Sequence, residues 1–232
     1  MAYERIIAVE TSGRHGSVAL ALGDRLLEER AFPVQQEHAR DLLAVVEALR
    51  ADQGWPAGQI DQVHVSIGPG SFTGLRVAVA FARALALASR AKIVAVPTLE
   101  VIARNCLRLP VPPGRLAVIL DAKRGQVYAA VFDLRGGACE TIVAPHLAEP
   151  AAVLAGRPAV VGEGVGYHRP AVEASGAEVL DEALSRPKAA CVHEIGWRLA
   201  KAGQFTPARE LTPLYIRRPE AEEVWERRQA GG

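Results

Sequence analysis

Aromatic side chains make up only 5% of the 232 residues, and cysteine is scarcer still, at three. Cys106, Cys139 and Cys191 are odd in number and far apart. That pattern excludes a disulfide framework and points to reduced thiols placed in a core. Neither sign of charge dominates, since 27 Lys and Arg stand against 26 Asp and Glu, for a net charge of +1. A dedicated nucleic-acid binder would carry a basic field, so any RNA contact is expected to draw most of its phosphate contacts from a partner. A long unbroken apolar run is missing as well. The run from Leu75 to Ala88 is interrupted by Arg76 and Arg83 and is shorter than a membrane span requires. Met1-Ala2-Tyr3-Glu4-Arg5 has no secretory pattern, so a cytoplasmic location is expected.

Catalytic motifs are missing too. Of the six histidines, at 15, 38, 64, 146, 168 and 193, no two lie four apart, and there is no Cys-x-x-Cys. Metal ligands of the usual helical or knuckle spacing are therefore excluded. His38 is followed at the next turn by Leu42, which leaves the histidine a cap or a polar contact. A Cys–His or Ser–His nucleophile pair remains open, because its members need not be close in sequence.

What is present is a chain half hydrophobic and 23% charged, enough for a packed core in one large or two small domains. It is organised around Ser66-Ile67-Gly68-Pro69-Gly70-Ser71-Phe72-Thr73-Gly74-Leu75-Arg76. A β-rich run leads in and the apolar run leads out, which reads as a strand, a tight loop and a helix start. Glycine there lets backbone come close to other backbone or to a ligand. Ser71 and Thr73 are placed to accept the free N–H groups of the first helical turn, which is also an anion site. These residues by themselves predict a capped turn. The loop ends Thr73-Gly74-Leu75-Arg76 without the lysine of a P-loop, and Pro69 and Thr73 stand where a nucleophile elbow needs glycines about Ser71.

Taken in order, residues 5–10, 17–22 and 25–32 predict a three-strand meander, and 33–36 a linker. From Glu37 the spacing of Ala39, Leu42, Leu43, Val46 and Leu49 predicts a helix ending before Gly54. A strand from Ile60 feeds the central loop. The helix over 74–89 is apolar nearly all round, so a second surface beyond its own sheet must cover it: the preceding helix or a partner. A strand at 92–96, a short helix from Thr98, taken as its cap, and a linker at 109–114 follow, which predicts domains 1–108 and 115–232. The plan then repeats. Residues 116–121 end in Asp121 as 6–10 end in Glu10, and a basic loop and a second strand at 126–132 come after, so two related lobes are expected. Further strands at 141–143 and 159–161, a turn at 162–166, a helix at 188–201, an extended tail from 206 and a solvated charged end at 220–228 complete the reading. The carboxylates Glu10 and Asp121 would face each other across a cleft.

Several of these stretches together closely resemble the TsaB (YeaZ) family of bacterial tRNA threonylcarbamoyladenosine biosynthesis proteins. They are Ile7-Ala8-Val9-Glu10-Thr11-Ser12, Gly16-Ser17-Val18-Ala19-Leu20, Glu37-His38-Ala39-Arg40-Asp41-Leu42-Leu43, the run 68–76, Val96-Pro97-Thr98-Leu99-Glu100, residues 121–128 and residues 213–219. The resemblance is dense over the first half and thinner from 134 to 207. It implies an α/β, two-lobed, actin-like or sugar-kinase-like ATPase fold with ribonuclease H-like lobes. It also implies a subunit without catalytic chemistry or cofactor, which joins its paralogue TsaD and the small ATPase TsaE to form threonylcarbamoyladenosine beside the tRNA anticodon. Such a subunit would self-pair as a homodimer when alone and would meet tRNA only through the complex. On the matching helix TsaD carries a His-x-x-x-His metal pair, where this chain has His38 and Leu42. Pairing through the two helices beside the central loop makes His38, Leu42, Val46, Leu49, Phe72, Arg76, Val77, Phe81 and Leu85 the partner-binding candidates. Glu10, Thr11 and Ser12 would be what is left of a nucleotide site. An expectation of another class is an independent small-molecule kinase or peptidase, with Gly162-Glu163-Gly164-Val165-Gly166 as its phosphate loop.

Overall fold

The computed structural model describes residues 4–32, 38–56 and 58–217, without the side chains of 38–40. The expected linker at 33–36, the charged end at 220–228 and the side chain of His38 lie outside the described residues.

Two sheets are built to one plan. In the first, β1 (Arg5–Glu10), β2 (Ser17–Leu22) and β3 (Arg25–Ala31) form the meander, while β4 (Gln62–Gly68) and β5 (Lys92–Pro97) pair in parallel beside β1, in the order β3-β2-β1-β4-β5. Parallel neighbours need crossovers, and α1 (His38–Asp52) and α2 (Phe72–Ser89) supply them. Strand alternation divides β1 between two cores. Ile7 and Val9 pack with Leu42, Val46 and Leu49 of α1 and Ala78, Val79 and Ala82 of α2. Ala8 faces the other way, into a core with α7 (Ala189–Lys201). Both faces are covered, which is why β1 shows no polar residue between Arg5 and Glu10.

The second sheet contains β6 (Arg115–Asp121), β7 (Val127–Asp133), β8 (Glu140–Ala148) and β9 (Ala159–Val161), in the order β8-β7-β6-β9. This order and these directions repeat β3-β2-β1-β4, as the echo between Glu10 and Asp121 predicts. The place of a fifth strand is held by one parallel bridge, Val160 to Val179, with two backbone bonds. Short helices α4 (Pro150–Leu154), α5 (Gly164–Tyr167) and α6 (Arg169–Ser175) fill the connections. The turn expected at 162–166 therefore begins a helix.

The lobes share α3 (Thr98–Cys106). Leu99, Ile102, Ala103 and Cys106 pack under the second sheet, whereas Val101 packs with α7 under the first. The expected division at 109–114 is corrected by this packing. Residues 189–201 return to the first sheet, because Ala189, Cys191, Val192 and Ile195 cover the apolar face left by Ala8, Ala19, Val94 and Val96. The tail then runs back along that lobe, with Thr206 N–H bonded to Ile93 O and Leu214 N–H to Ile67 O.

Candidate functional site

The central loop is locked to the first hairpin. Ser71 N–H donates to Ser12 O at 2.7 Å, and the Thr11 hydroxyl donates to Gly74 O at 2.8 Å. A Cβ on Gly74 would lie 2.0 Å from Thr11 O, and one on Gly70 would lie 2.4 Å from Ser12 O. The glycines thus admit backbone, not a ligand. Ser71 caps α2 through a bond from Gly74 N–H at 3.3 Å, as expected. Thr98 is not the cap of its helix. Its hydroxyl pairs with that of Ser66 at 2.7 Å and accepts Gly68 N–H at 3.1 Å, which ties the helix to the end of β4.

Glu10 is fully buried, so it does not face a cleft. Its Oε1 accepts both the N–H and the hydroxyl of Ser12. Burial pushes its pKa above the ordinary carboxylate value, against the bonds from Ser12. Thr11 is also buried and bonded within the fold. Of the three residues expected to mark a nucleotide site, only Ser12 reaches the cavity between the lobes.

That cavity has a volume of about 600 Å³. Ser12 to His15 come to it from the first lobe, and 161–163, 165–167 and 185–187 from the chain around β9 and before α7. Its lining combines apolar Ile102, Leu120, Val161 and Leu180 with charged Arg14, Arg169, Arg186, Glu163 and Glu182. Asp121 does not line it. Burial raises the Asp121 pKa, but bonds from Lys123 and His168 outweigh that and hold the carboxyl below its usual value.

The helix pair needs a correction. Leu42, Val46 and Leu49, expected to bind a partner, are 1%, 5% and 0% exposed and belong to the first core. Their spacing is the apolar stripe that α1 turns to its own sheet. Val77, Phe81 and Leu85 are half-buried against the same core. The large apolar side chains that α1 and α2 leave exposed are Leu43 at 59%, Phe72 at 42% and Leu87 at 82%; Ala44, Ala48, Ala80 and Ala84 are exposed on the same helices, as are Glu47, Arg76 and Arg83. Arg76 lies over the Phe72 ring at 3.8 Å and donates to the Tyr215 hydroxyl at 3.2 Å, and the Tyr215 ring is 5.6 Å from that of Phe72. Of the expected residues, Phe72 and Arg76 are therefore on the surface. Leu43 and Leu87 were missed because helical spacing groups residues without saying which group faces out; Tyr215 carried no signal apart from its place in the resembling tail. By length and mean hydropathy alone, 1.4 over 18 residues, α2 could cross a membrane. It is longer than the run Leu75–Ala88 because its first turn starts at Phe72, and it packs on β4.

Comparison with known proteins adds the family. The model described as TsaD: tRNA N6-adenosine threonylcarbamoyltransferase matches residues 33–225. The chain belongs to the TsaD family. Its relatives include the tRNA threonylcarbamoyladenosine biosynthesis protein TsaB of Bacillus subtilis, 31% identical over 60% of this chain and 59% of that protein. The Escherichia coli protein of the same name is 27% identical over 92% of this chain and 94% of its own length. Among solved structures, YeaZ from Pseudomonas aeruginosa superposes with a TM-score of 0.77 at 26% identity, covering 91% of this chain and all but 1% of that one. Within the TsaD family the likeness is thus to TsaB, as the sequence motifs imply, and the two-lobed α/β architecture is the one expected. At the family position where the resemblance puts a second metal-binding histidine, Leu42 points into the core. Among the described residues no three His, Cys, Asp or Glu side chains group as a metal site.

Proposed function

We propose that the chain is a non-catalytic subunit for forming threonylcarbamoyladenosine in tRNA, and that it pairs with and activates a TsaD transferase. The observation that carries this reading is the outer strip of α1 and α2. Leu43, Phe72 and Leu87 are large and exposed on two packed helices, and the alanines among them let another helix approach closely. The names of the relatives supply the pathway. TsaE would join the assembled pair, and tRNA would be engaged by the complex. Without the transferase, the same strip would pair two copies of this chain.

Size-exclusion chromatography with light scattering tests the proposal, on the chain alone and mixed with a TsaD transferase, with tRNA modification assayed on the same fractions. Leu87→Asp and Phe72→Asp are the apt variants, since both side chains are exposed and their loss spares the core. Val77 and Phe81 pack on the core, and an acid there would unfold the first lobe. The expected result is a mixed complex for the wild-type chain, lost in both variants with melting temperature unchanged. Intact complexes in both would refute the pairing surface. Turnover of a nucleotide or peptide by the chain alone would instead favour an independent enzyme working in the cavity.

A further inference from the structure

The mouth of the interlobe cavity carries an aromatic ring held between two cations. Tyr167, at the end of α5, is 53% exposed. Its hydroxyl accepts the Arg14 guanidinium at 3.1 Å, a bond from the first lobe to the second. The Lys123 ammonium lies over its ring, 5.1 Å from the centroid. Lys123 and Arg124 form the β6–β7 turn and both have positive φ, 62° and 54°, in the region that side-chain-bearing residues rarely enter. The turn thereby presents two adjacent basic residues at its tip, both exposed. Arg169 and Arg186 line the cavity beside Tyr167, together with Glu163 and Glu182. On a chain of net charge +1 this is a local concentration of cations, with Asp121, Glu163 and Glu182 as the acids beside it.

We infer that this rim is a contact for single-stranded RNA, with Tyr167 as the stacking platform for one base and Arg14, Lys123 and Arg124 as phosphate contacts. The inference rests on the assembly reading above and names the surface by which this subunit would touch the tRNA. An exposed aromatic among cations suits a strand that lies across a surface, because any base offers a π face and the backbone follows the positive rim. The rim also continues into the proposed partner face. Arg217 bonds Ala122 O and the Gln126 side chain at the base of the basic turn, two residues after Tyr215 meets Phe72 and Arg76. RNA held by the transferase therefore has this rim within reach.

The test is tRNA affinity of the assembled complex with the transferase, measured by filter binding with unmodified tRNA at several salt concentrations. Tyr167→Ala is expected to weaken binding about tenfold. Tyr167→Phe keeps the ring and loses only the bond to Arg14, so it should bind tRNA like the wild-type chain; a merely structural latch would make it as weak as Tyr167→Ala and would overturn the inference. The double variant Lys123→Glu, Arg124→Glu should lower the slope of affinity against salt by about two. A complex that assembles but binds tRNA unchanged in Tyr167→Ala and in the double variant overturns the RNA contact alone. Adenosine monophosphate competing with tRNA for the rim at micromolar concentration overturns it in favour of a nucleotide pocket. A wild-type chain that does not join the transferase overturns both readings.

Discussion

Glu10 and His64 are buried ionisable residues on neighbouring strands, and they respond to pH in opposite directions. The folded state raises the Glu10 pKa through burial. Its stabilising share is fully present below the ordinary value of 4.5 and is lost as pH rises through the folded value. Gln in its place keeps an oxygen for both Ser12 donors and does not titrate. The melting temperature of Glu10→Gln relative to wild type should therefore climb as pH is raised from acid to neutral, and a gap independent of pH would count against the buried carboxyl. His64 is stacked on His193 with ring centroids 5.7 Å apart, and its Nε2 pairs with Gln62. Burial, then the neighbouring His193, pushes its pKa down to about 3 from the ordinary 6.5. The unfolded chain takes up the proton first, so stability present above 6.5 is lost as pH falls toward 3. By pH 4 the loss should be on the order of 3 kcal/mol, and denaturant titrations of His64→Gln should show a flatter acid limb.

Among the elements, the turn into α2 is the most sensitive to a small change. One methyl group on Gly74 would meet the Thr11 carbonyl, and that oxygen belongs to a backbone fixed by the Thr11–Gly74 bond. Gly74→Ala should cost about 2–3 kcal/mol, read as a lower denaturation midpoint with an unchanged slope. The sequence showed that these glycines served a close approach, but not what approached, because the hairpin partner is some sixty residues upstream. Elements with a full period were legible: β1, β2 and β9 have the bounds that their apolar runs predict. Helices α4 and α6, of five and seven residues, are too short to display a helical period, and α5 begins in a glycine-rich stretch that reads as a turn. On α1 the period was right and the outward face was not. Leu42, Val46 and Leu49 form its most apolar stripe, and the fold's own sheet takes that stripe before any partner can. The surface left for a partner is the less regular one, marked by Leu43, and a sequence pattern gives it no emphasis.

At the scale of the molecule, the two lobes are joined less by the linker at 109–114 than by α3, which contributes to the cores of both. Ile102, fully buried in the second core and lining the cavity, is one place where this joint can be weakened. Ile102→Ala should cost about 2–5 kcal/mol, and a single cooperative transition in calorimetry would show that the lobes unfold together. Two separated transitions would mean that α3 does not couple them. The return of α7 has a consequence for how the protein is made. Synthesis runs from the N-terminus, so the first sheet emerges from the ribosome long before the helix that covers Ala8, Ala19, Val94 and Val96. Until residue 201 has emerged from the ribosome, that apolar face has no cover of its own. A nascent chain stalled at residue 108 should therefore be held by chaperones or be degraded, whereas one whose residues through 217 have left the ribosome should resist protease, so the emergence of α7 sets the moment at which the N-terminal half becomes stable.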